Sequence, residues 1–199
     1  MKKIPTLFEI KYENGKAVGI TDKVYPGMEW VLEGEGKATV KHDGSCCAII
    51  DGKFYRRYDA KKGKRPPEGA IPCCDPDPVT GHWPHWVLVD KDKADDKWFV
   101  NAFVNTAAIW RMREGTYEAV GPAFGGNHHG LEANGLRPHG VDVIRNCPRD
   151  FEGIREYLRV NPIEGIVFWR DGEPQCKIKR KNFGFPWPVK YPAEVPHEG

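Results

Sequence analysis

The sequence predicts an α+β fold built around mostly antiparallel β-sheet. Short apolar segments recur along the chain and alternate with polar turns. An Asp-Gly dipeptide, Asp51-Gly52, marks a tight hairpin between two of these segments. A single segment, residues 149–159, has apolar side chains at clear helical spacing, with Asp150 near its start and an arginine at its end.

The elements follow in order along the chain. Apolar segments at 86–89 and 98–106 flank the charged turn DKDKADDK, and residues 61–84 form a long loop rich in glycine and proline. The last two strands form a hairpin across residues 170–173. The strands that we predict are 37–41, 45–50, 53–58, 116–120, 141–144, 164–169 and 175–179.

Length and composition predict one soluble domain. The chain has 199 residues, of which 40% are hydrophobic and 29% charged. The N-terminus does not resemble a signal peptide, and there is no apolar run of about 18 residues that could span a membrane. We therefore expect a cytoplasmic protein that does not bind membranes, organised as a single domain over residues 1–199.

The six cysteines indicate reduced thiols rather than a metal site. No CxxC spacing occurs, and adjacent cysteines such as Cys46-Cys47 rarely form a disulfide with each other. A zinc site built from Cys73, Cys74, His82 and His85 is disfavoured because no standard ligand spacing supports it.

Local charge indicates possible partners better than the net charge of +2 does. Residues 53–65 and 177–181 are strongly basic, and the first of these segments contains interleaved aromatic residues. Such surfaces suit nucleotide phosphates or a nucleic-acid backbone. For residues 61–65 alone, a solvated face is the preferred interpretation.

The tetrapeptide Lys41-His42-Asp43-Gly44 interrupts an apolar segment with charge. A lysine amine becomes a nucleophile when desolvation or a nearby cation favours its neutral form. Asp43-Gly44 supplies a turn beside it, although KxDG alone is a weak signal. If strand geometry continued past Lys41, Lys41 and Asp43 would share one face.

Later segments add two acids and two lysines in a fixed order. Glu118 lies near the end of a strand, and Glu164 begins another in the sequence EGIV. Lys177 and Lys179 are two residues apart in a strand, so they are predicted to project from one face, where they would suit a triphosphate.

This ordered set resembles the covalent nucleotidyltransferases, which include ATP-dependent DNA ligases, RNA ligases and messenger-RNA capping enzymes. Their series is KxDG, an arginine, a glutamate after a strand, EGxV and KxK. The segments KHDGSCCAI, GHWPHWVLV, GTYEAVGPAFGGN and LRPHG are similar to a small family of RNA ligases. The matching positions are Lys41–Gly44, Arg56 or Arg57, Glu118, Glu164–Val167 and Lys177–Lys179.

The resemblance implies a nucleotidyltransferase (adenylation) domain of the DNA/RNA ligase type. DNA ligases and capping enzymes normally carry an OB-fold domain after the KxK segment, but because only twenty residues follow Lys179 we expect no OB-fold or other C-terminal domain in this chain. It implies that Lys41 attacks the α-phosphate of ATP and that Asp43 orients or tunes this lysine. Arg56 or Arg57 would contact the ribose or a phosphate, and the doublet leaves the choice open. Lys177, with Lys179 beside it, would contact the α-phosphate.

The resemblance also implies a metal ion, Mg²⁺ or Mn²⁺, since carboxylates and phosphates are hard ligands. Glu164 is the expected metal ligand, and Glu118, expected at the ribose hydroxyls, is a second candidate ligand. The adenine-stacking aromatic stays open between Phe124 and Trp110, although a core position is preferred for each. His128 and His129 are candidates for contact with RNA or a metal, although part of a polar loop is the preferred interpretation.

The function that the resemblance implies is an ATP-dependent RNA ligase that serves RNA repair by joining 5′-phosphate and 3′-hydroxyl ends through lysyl-AMP. Its partners would be RNA ends, ATP, and a protein partner or second copy that replaces the absent C-terminal domain. The alternatives are a DNA ligase, a capping guanylyltransferase, or a non-catalytic RNA-binding relative. Basic residues 53–65 and the tail KRKNFGFPWPVKYP, residues 179–192, are candidate RNA surfaces, and a tail that straps the domain is an equal alternative for the second.

Overall fold

The computed structural model describes residues 3–61, 63–78 and 80–189. Within them the chain forms eleven strands and two α-helices, which confirms the predicted α+β class with mostly antiparallel sheet. The strands are β1 (Phe8–Glu13), β2 (Lys16–Val24), β3 (Lys37–Lys41), β4 (Ser45–Ile50), β5 (Lys53–Ala60), β6 (Ile71–Pro72), β7 (Trp83–Leu88), β8 (Gly115–Val120), β9 (Gly135–Pro138), β10 (Gly165–Arg170) and β11 (Glu173–Lys179), and the helices are α1 (Lys97–Ala107) and α2 (Phe151–Val160).

The chain divides into two compact units. The first unit comprises Met1–Lys3 and His42–Val141, and the second comprises Ile4–Lys41 and Asp142–Gly199. That the whole chain acts as one domain stays a prediction. In the described part of the chain, neither helix has the length and apolar character needed to cross a membrane.

The first unit is built on a six-stranded antiparallel sheet in the order β6-β7-β5-β4-β8-β9. Side chains on successive residues of a strand point to opposite faces. Cys47, Ile49, Tyr117 and Ala119 therefore share the face that packs against α1. The opposite face buries Ala48, Tyr55 and Trp86 in a smaller cluster.

Helix α1 was missed by the sequence prediction, which described residues 98–106 only as an apolar segment. Its buried residues, Ala102 and Thr106, are four apart, and Phe99 and Phe103 pack beside Ala102 with the same spacing. Phenylalanine, valine and threonine have modest helix propensity, so burial against the sheet, rather than intrinsic preference, stabilises this helix.

The second unit contains the hairpin β1–β2, the three-stranded sheet β11-β10-β3 and helix α2. Helix α2 confirms the helix predicted at 149–159, and the Asp150 carboxylate caps it by accepting the Gly153 N–H at 2.8 Å. Ile154 and Leu158 of α2 are fully buried. Burial of each such side chain contributes roughly 1.5–3 kcal/mol.

The strand predicted at 141–144 is wrong. Only an isolated bridge forms there, between Val143 and Thr39 of β3. Val141 and Val143 are about half exposed, and Asn146 has a φ of +56°, so the chain turns away from β3 after Ile144. The alternation of apolar residues in this segment predicted a strand, but its backbone pairs with β3 only at the single bridge between Val143 and Thr39.

Candidate functional site

The sheet of the second unit brings the lysine of KHDG and the last lysine of KIK to the same residue of the central strand. Gly165 of β10 lies opposite Lys41 of β3 on one side and opposite Lys179 of β11 on the other. Cross-strand partners share a face of a sheet. Glu164, which precedes Gly165, is 5% exposed.

Glu164 pairs with both lysines through its carboxylate. Lys41 Nζ donates to Oε2, and Lys179 Nζ lies 2.7 Å from Oε1. The side chains of Lys41 and Lys179 keep 21% and 35% of their surface exposed. Two ammonium groups therefore compensate one buried carboxylate, and water can reach both of these ammonium groups.

Strand alternation explains how a charged residue lies in an apolar segment. Ala38 and Val40 of β3 point into the core of the second unit with Ile166 and Ile178. Lys41 points to the opposite face. The register of β10 with β11 places Lys177 opposite Val167 and Lys179 opposite Gly165, so the predicted shared face of the two lysines is confirmed.

Asp43 does not continue the strand, because β3 ends at Lys41, and the condition for a shared face with Lys41 therefore fails. Asp43 belongs to the first unit, where a loop of two histidines contacts it. His128 Nδ1 lies 2.5 Å from Asp43 Oδ2, and the Asp43 N–H donates to His129 Nε2 at 3.0 Å. The polar-loop interpretation of these histidines missed both contacts.

Gly44 packs against the strand that carries Glu118. A Cβ on Gly44 would lie 2.1 Å from the carbonyl oxygen of Ala119, which no side chain can tolerate. The glycine of KHDG thus permits a close backbone approach to β8, and it does so one residue from Glu118.

His139 orients Glu118. His139 Nε2 lies 3.0 Å from Glu118 Oε2, and His139 Nδ1 lies 2.9 Å from the Thr116 hydroxyl. Both ring nitrogens are therefore engaged, and the carboxylate has a fixed neighbour. His139 follows β9 in the segment LRPHG, and the sequence did not predict its contact with Glu118.

The two arginines of the doublet lie on opposite faces of the first unit's sheet. Arg56 pairs with Asp96, 1% exposed, at 2.5 Å. Arg57 lies on the face that carries Glu118 and bonds Asp59 at 2.7 Å. Burial alone would lower the pKa of Arg57, but the hydrogen bond and charge of Asp59 outweigh it and raise that pKa.

Cys46 of β4 lies between Arg57 of β5 and Glu118 of β8 on the first unit's sheet. Burial raises the pKa of its thiol to about 12, with a further increase from the Glu118 carboxylate, while Arg57 acts in the opposite direction. Both charged side chains are therefore close enough to act on one thiol.

The structure gives different environments to the two aromatic candidates. Phe124 is buried and packs edge-on against Phe99, as a core residue does. Trp110 is 47% exposed, so the preference for a core position is wrong for it. Among residues 3–61, 63–78 and 80–189, no three His, Cys, Asp or Glu side chains form a group that could hold a metal ion.

Comparison with known proteins gives a partial similarity. No protein-family model matches the chain. The chain is 30% identical over 139 residues to a zebrafish (Danio rerio) protein named RNA ligase 1. The match covers 55% of this chain and 43% of that protein, so the chain corresponds to less than half of the relative's length.

Proposed function

We propose that this chain is an ATP-dependent RNA ligase that joins a 5′-phosphate to a 3′-hydroxyl. The observation that carries the proposal is the pairing of Glu164 with both Lys41 and Lys179. Three segments of the nucleotidyltransferase series, KHDG, EGIV and KIK, meet at this carboxylate although 123 residues separate Lys41 from Glu164. Similarity to a protein named RNA ligase 1 supports the choice of RNA ligase among such enzymes.

Lys41 is the proposed nucleophile. Its amine loses a proton and attacks the α-phosphorus of ATP, an N–P bond forms, and the bond to pyrophosphate breaks. Lys41 must leave Glu164 to react. Lys179 on the other carboxylate oxygen keeps the buried Glu164 charge compensated when Lys41 leaves, which lowers the cost of that movement.

Lys177 and Lys179 are proposed to bind the phosphates. They share one face of β11, and ammonium groups two residues apart on a strand suit adjacent phosphates. Lys177 is assigned to the α-phosphate during lysine adenylylation, and Lys179 has the additional role of balancing Glu164.

Residues of the first unit are proposed to hold the nucleoside. Glu118, fixed by His139, would accept hydrogen bonds from the ribose hydroxyls. Arg57 is the favoured arginine because it shares a face with Glu118, whereas Arg56 is engaged by the buried Asp96. Asp43, held by His128 and His129, would orient the segment that bears the nucleophile.

A divalent metal fits the donor chemistry, with one condition. Mg²⁺ is commonly bound by one or two carboxylates together with substrate phosphates and waters, so a full protein cage is not required. Glu164 is a hard oxygen ligand, but lysines engage both its oxygens, so it would serve only after Lys41 or Lys179 releases one. Glu118 is the alternative proposed ligand, and the bound metal would neutralise phosphate charge.

RNA enters in the later steps of the proposed reaction. The AMP on Lys41 passes to the 5′-phosphate of RNA, the N–P bond breaks, and a P–O–P bond forms. The 3′-hydroxyl of the adjoining end then attacks the activated phosphate, a phosphodiester forms, and AMP leaves.

The test is the intact mass of the protein after incubation with ATP and Mg²⁺. We expect one added AMP in the wild type and none in Lys41→Ala. Lys37→Ala is the matched control, because Lys37 lies on the same strand, pairs with Trp169 at the other end of β10, and has its ammonium group 5.4 Å from the centre of the Trp169 ring. Absence of the adduct from the wild type, with RNA binding retained, would support the non-catalytic alternative.

Further reactions separate the remaining alternatives. GTP in place of ATP tests a capping guanylyltransferase, and nicked DNA in place of RNA tests a DNA ligase. An adduct with ATP and sealing of RNA, but not of DNA, is the expected result.

A further inference from the structure

One row of side chains crosses the sheet of the first unit. Arg57 lies opposite Trp86, and Glu118 lies opposite both Cys46 and Arg137. The register that pairs Cys47 with Arg56 brings Cys46 opposite Arg57 when it is continued by one residue. The row therefore runs Trp86, Arg57, Cys46, Glu118, Arg137 on one face, with strands about 4.8 Å apart.

Arg137 ends this row as an exposed cation. Its direct cross-strand neighbour is Glu118, yet Glu118 pairs with the diagonal neighbour His139 at 3.0 Å. No ion pair joins Arg137 to an acid within the part of the chain that the structure describes. The opposite cation of the row, Arg57, is by contrast neutralised by Asp59.

We infer that Arg137 is a phosphate-binding residue beside the proposed nucleoside site, an inference that rests on the proposed function. A guanidinium offers a planar pair of donors that matches phosphate oxygens, and an exposed arginine without an acid partner has these donors available. Because His139 holds Glu118, a phosphate at Arg137 does not have to displace a carboxylate.

Two phosphates of the proposed reaction have the required chemistry: the triphosphate of ATP and the 5′-phosphate of RNA. The RNA phosphate is favoured, because Lys177 and Lys179 are already assigned to the triphosphate. Arg137 also lies one strand beyond Glu118, at the outer strand of its sheet, where a long substrate can extend past the edge.

The experiment measures binding to each phosphate source separately. Fluorescence anisotropy compares a 5′-phosphorylated with a 5′-hydroxyl oligoribonucleotide, and intact mass after incubation with ATP reports adenylylation of Lys41. The variants are Arg137→Ala, Arg137→Lys and the control Arg111→Ala, another exposed arginine of the first unit. Thermal unfolding confirms that each variant is folded.

We expect the wild type to prefer the 5′-phosphorylated strand by about tenfold, and Arg137→Ala to lose that preference while adenylylation stays within about twofold. Arg137→Lys should retain part of the preference, because it keeps the charge but not the paired donors. Weaker reaction with ATP and an unchanged RNA preference would identify the nucleotide as the source of the phosphate.

The inference is overturned if Arg137→Ala matches Arg111→Ala within twofold in both assays. It is also overturned if the wild-type protein binds the 5′-phosphorylated and the 5′-hydroxyl oligoribonucleotide equally well. Failure of the proposed function looks different. In that case Lys41 takes up no AMP from ATP, while the preference for 5′-phosphorylated RNA and its loss in Arg137→Ala persist.

Discussion

Lys41 and Glu164 form an ion pair that joins β3 to the start of β10, and Lys179 completes it from β11. Glu164 is nearly inaccessible to solvent, whereas both lysines retain contact with water. A buried carboxylate is tolerated when its charge is paired and its oxygens accept hydrogen bonds. The cluster is therefore a structural element as well as the proposed reaction centre, and its two contributions can be measured separately.

Glu164→Gln is expected to lower the free energy of unfolding by about 1–3 kcal/mol. The amide oxygen can accept from one lysine, but the amide NH₂ then faces the second ammonium group, and the charge that balances both lysines is lost. Urea denaturation at neutral pH measures the change.

Glu156→Gln is the matched control for that measurement. Glu156 pairs with Arg159 three residues away on the exposed surface of α2. Exposed pairs of this kind contribute little, because solvent screens both charges and ordering two long side chains costs entropy. Equal losses in the two variants would show that burial of Glu164 adds nothing to its pairing.

Substitution of Arg56 is expected to lower stability, whereas substitution of Arg57 is expected to slow adenylylation. Arg56→Ala leaves the buried Asp96 carboxylate with the Asp90 N–H as a remaining donor, at 3.0 Å, and should cost about 3 kcal/mol of stability. Arg57→Ala removes a pair with the half-exposed Asp59 and should cost less than about 1 kcal/mol, while it slows adenylylation at least tenfold.

Chemical denaturation and the rate of AMP uptake, measured on the same two preparations, separate these effects. Rates for Arg56→Ala are compared at a temperature at which that variant is fully folded. If adenylylation slows in folded Arg56→Ala and not in Arg57→Ala, the assignment of the nucleotide contact to Arg57 is wrong.

The sequence was sufficient for the strands that carry the motifs. Strands β3, β4 and β5 were predicted, and Asp51-Gly52 joins β4 to β5. The positive φ angles of these two residues, 50° and 70°, are those of the predicted tight turn. Hairpin β10–β11 was predicted for the same reason. Helix α1 was missed because its Phe and Val residues are equally typical of strands, and only packing on the sheet decides between the two.

The histidine partners of Asp43 and Glu118 could not be predicted from the sequence, because tertiary structure determines them. Strand alternation predicted that Lys177 and Lys179 share a face. It could not predict that His128 contacts Asp43 or that His139 contacts Glu118, because 85 and 21 residues separate these pairs. The positions of the histidines follow from loop paths, on which local periodicity carries no information.

The rate at which the cysteine thiols are alkylated should depend on their burial. Burial raises the pKa of Cys176 to about 12 and that of Cys147 to about 11, from an ordinary value of 9.0. In the native protein at pH 8 these thiols, with Cys46, should react with an alkylating reagent far more slowly than after denaturation. Mass spectrometry of alkylated peptides measures each rate.

The same raised pKa values predict how stability depends on pH. Well below pH 9 these thiols are protonated in both folded and unfolded chains, so their contribution to stability is constant there. As the pH rises from about 9 towards 12, the unfolded chain loses these protons first and stability falls. Replacing Cys176 with Ala should reduce this slope, and an unchanged slope would contradict the assignment to buried thiols.

Glycine at position 165 permits the close approach of β10 and β11 beside the cluster of Lys41, Glu164 and Lys179. A Cβ on Gly165 would lie 2.2 Å from the carbonyl oxygen of Ile178 and 3.0 Å from the Cα of Lys179. These neighbours are backbone atoms of a paired strand and cannot move aside singly. Gly165→Ala should therefore push β11 away, separate Lys179 from Glu164 and lower the free energy of unfolding by about 3 kcal/mol.

Gly19→Ala is the control, because Gly19 also lies in a strand of the second unit and its nearest backbone neighbour, the Asn182 oxygen, would be 3.9 Å from the new Cβ. Alanine should be neutral or slightly stabilising there, since it reduces the freedom of the unfolded chain. Urea midpoints and soluble yield of the two variants are compared. Equal stability would mean that β10 and β11 can separate without cost, and the close approach at Gly165 would then not hold the cluster together.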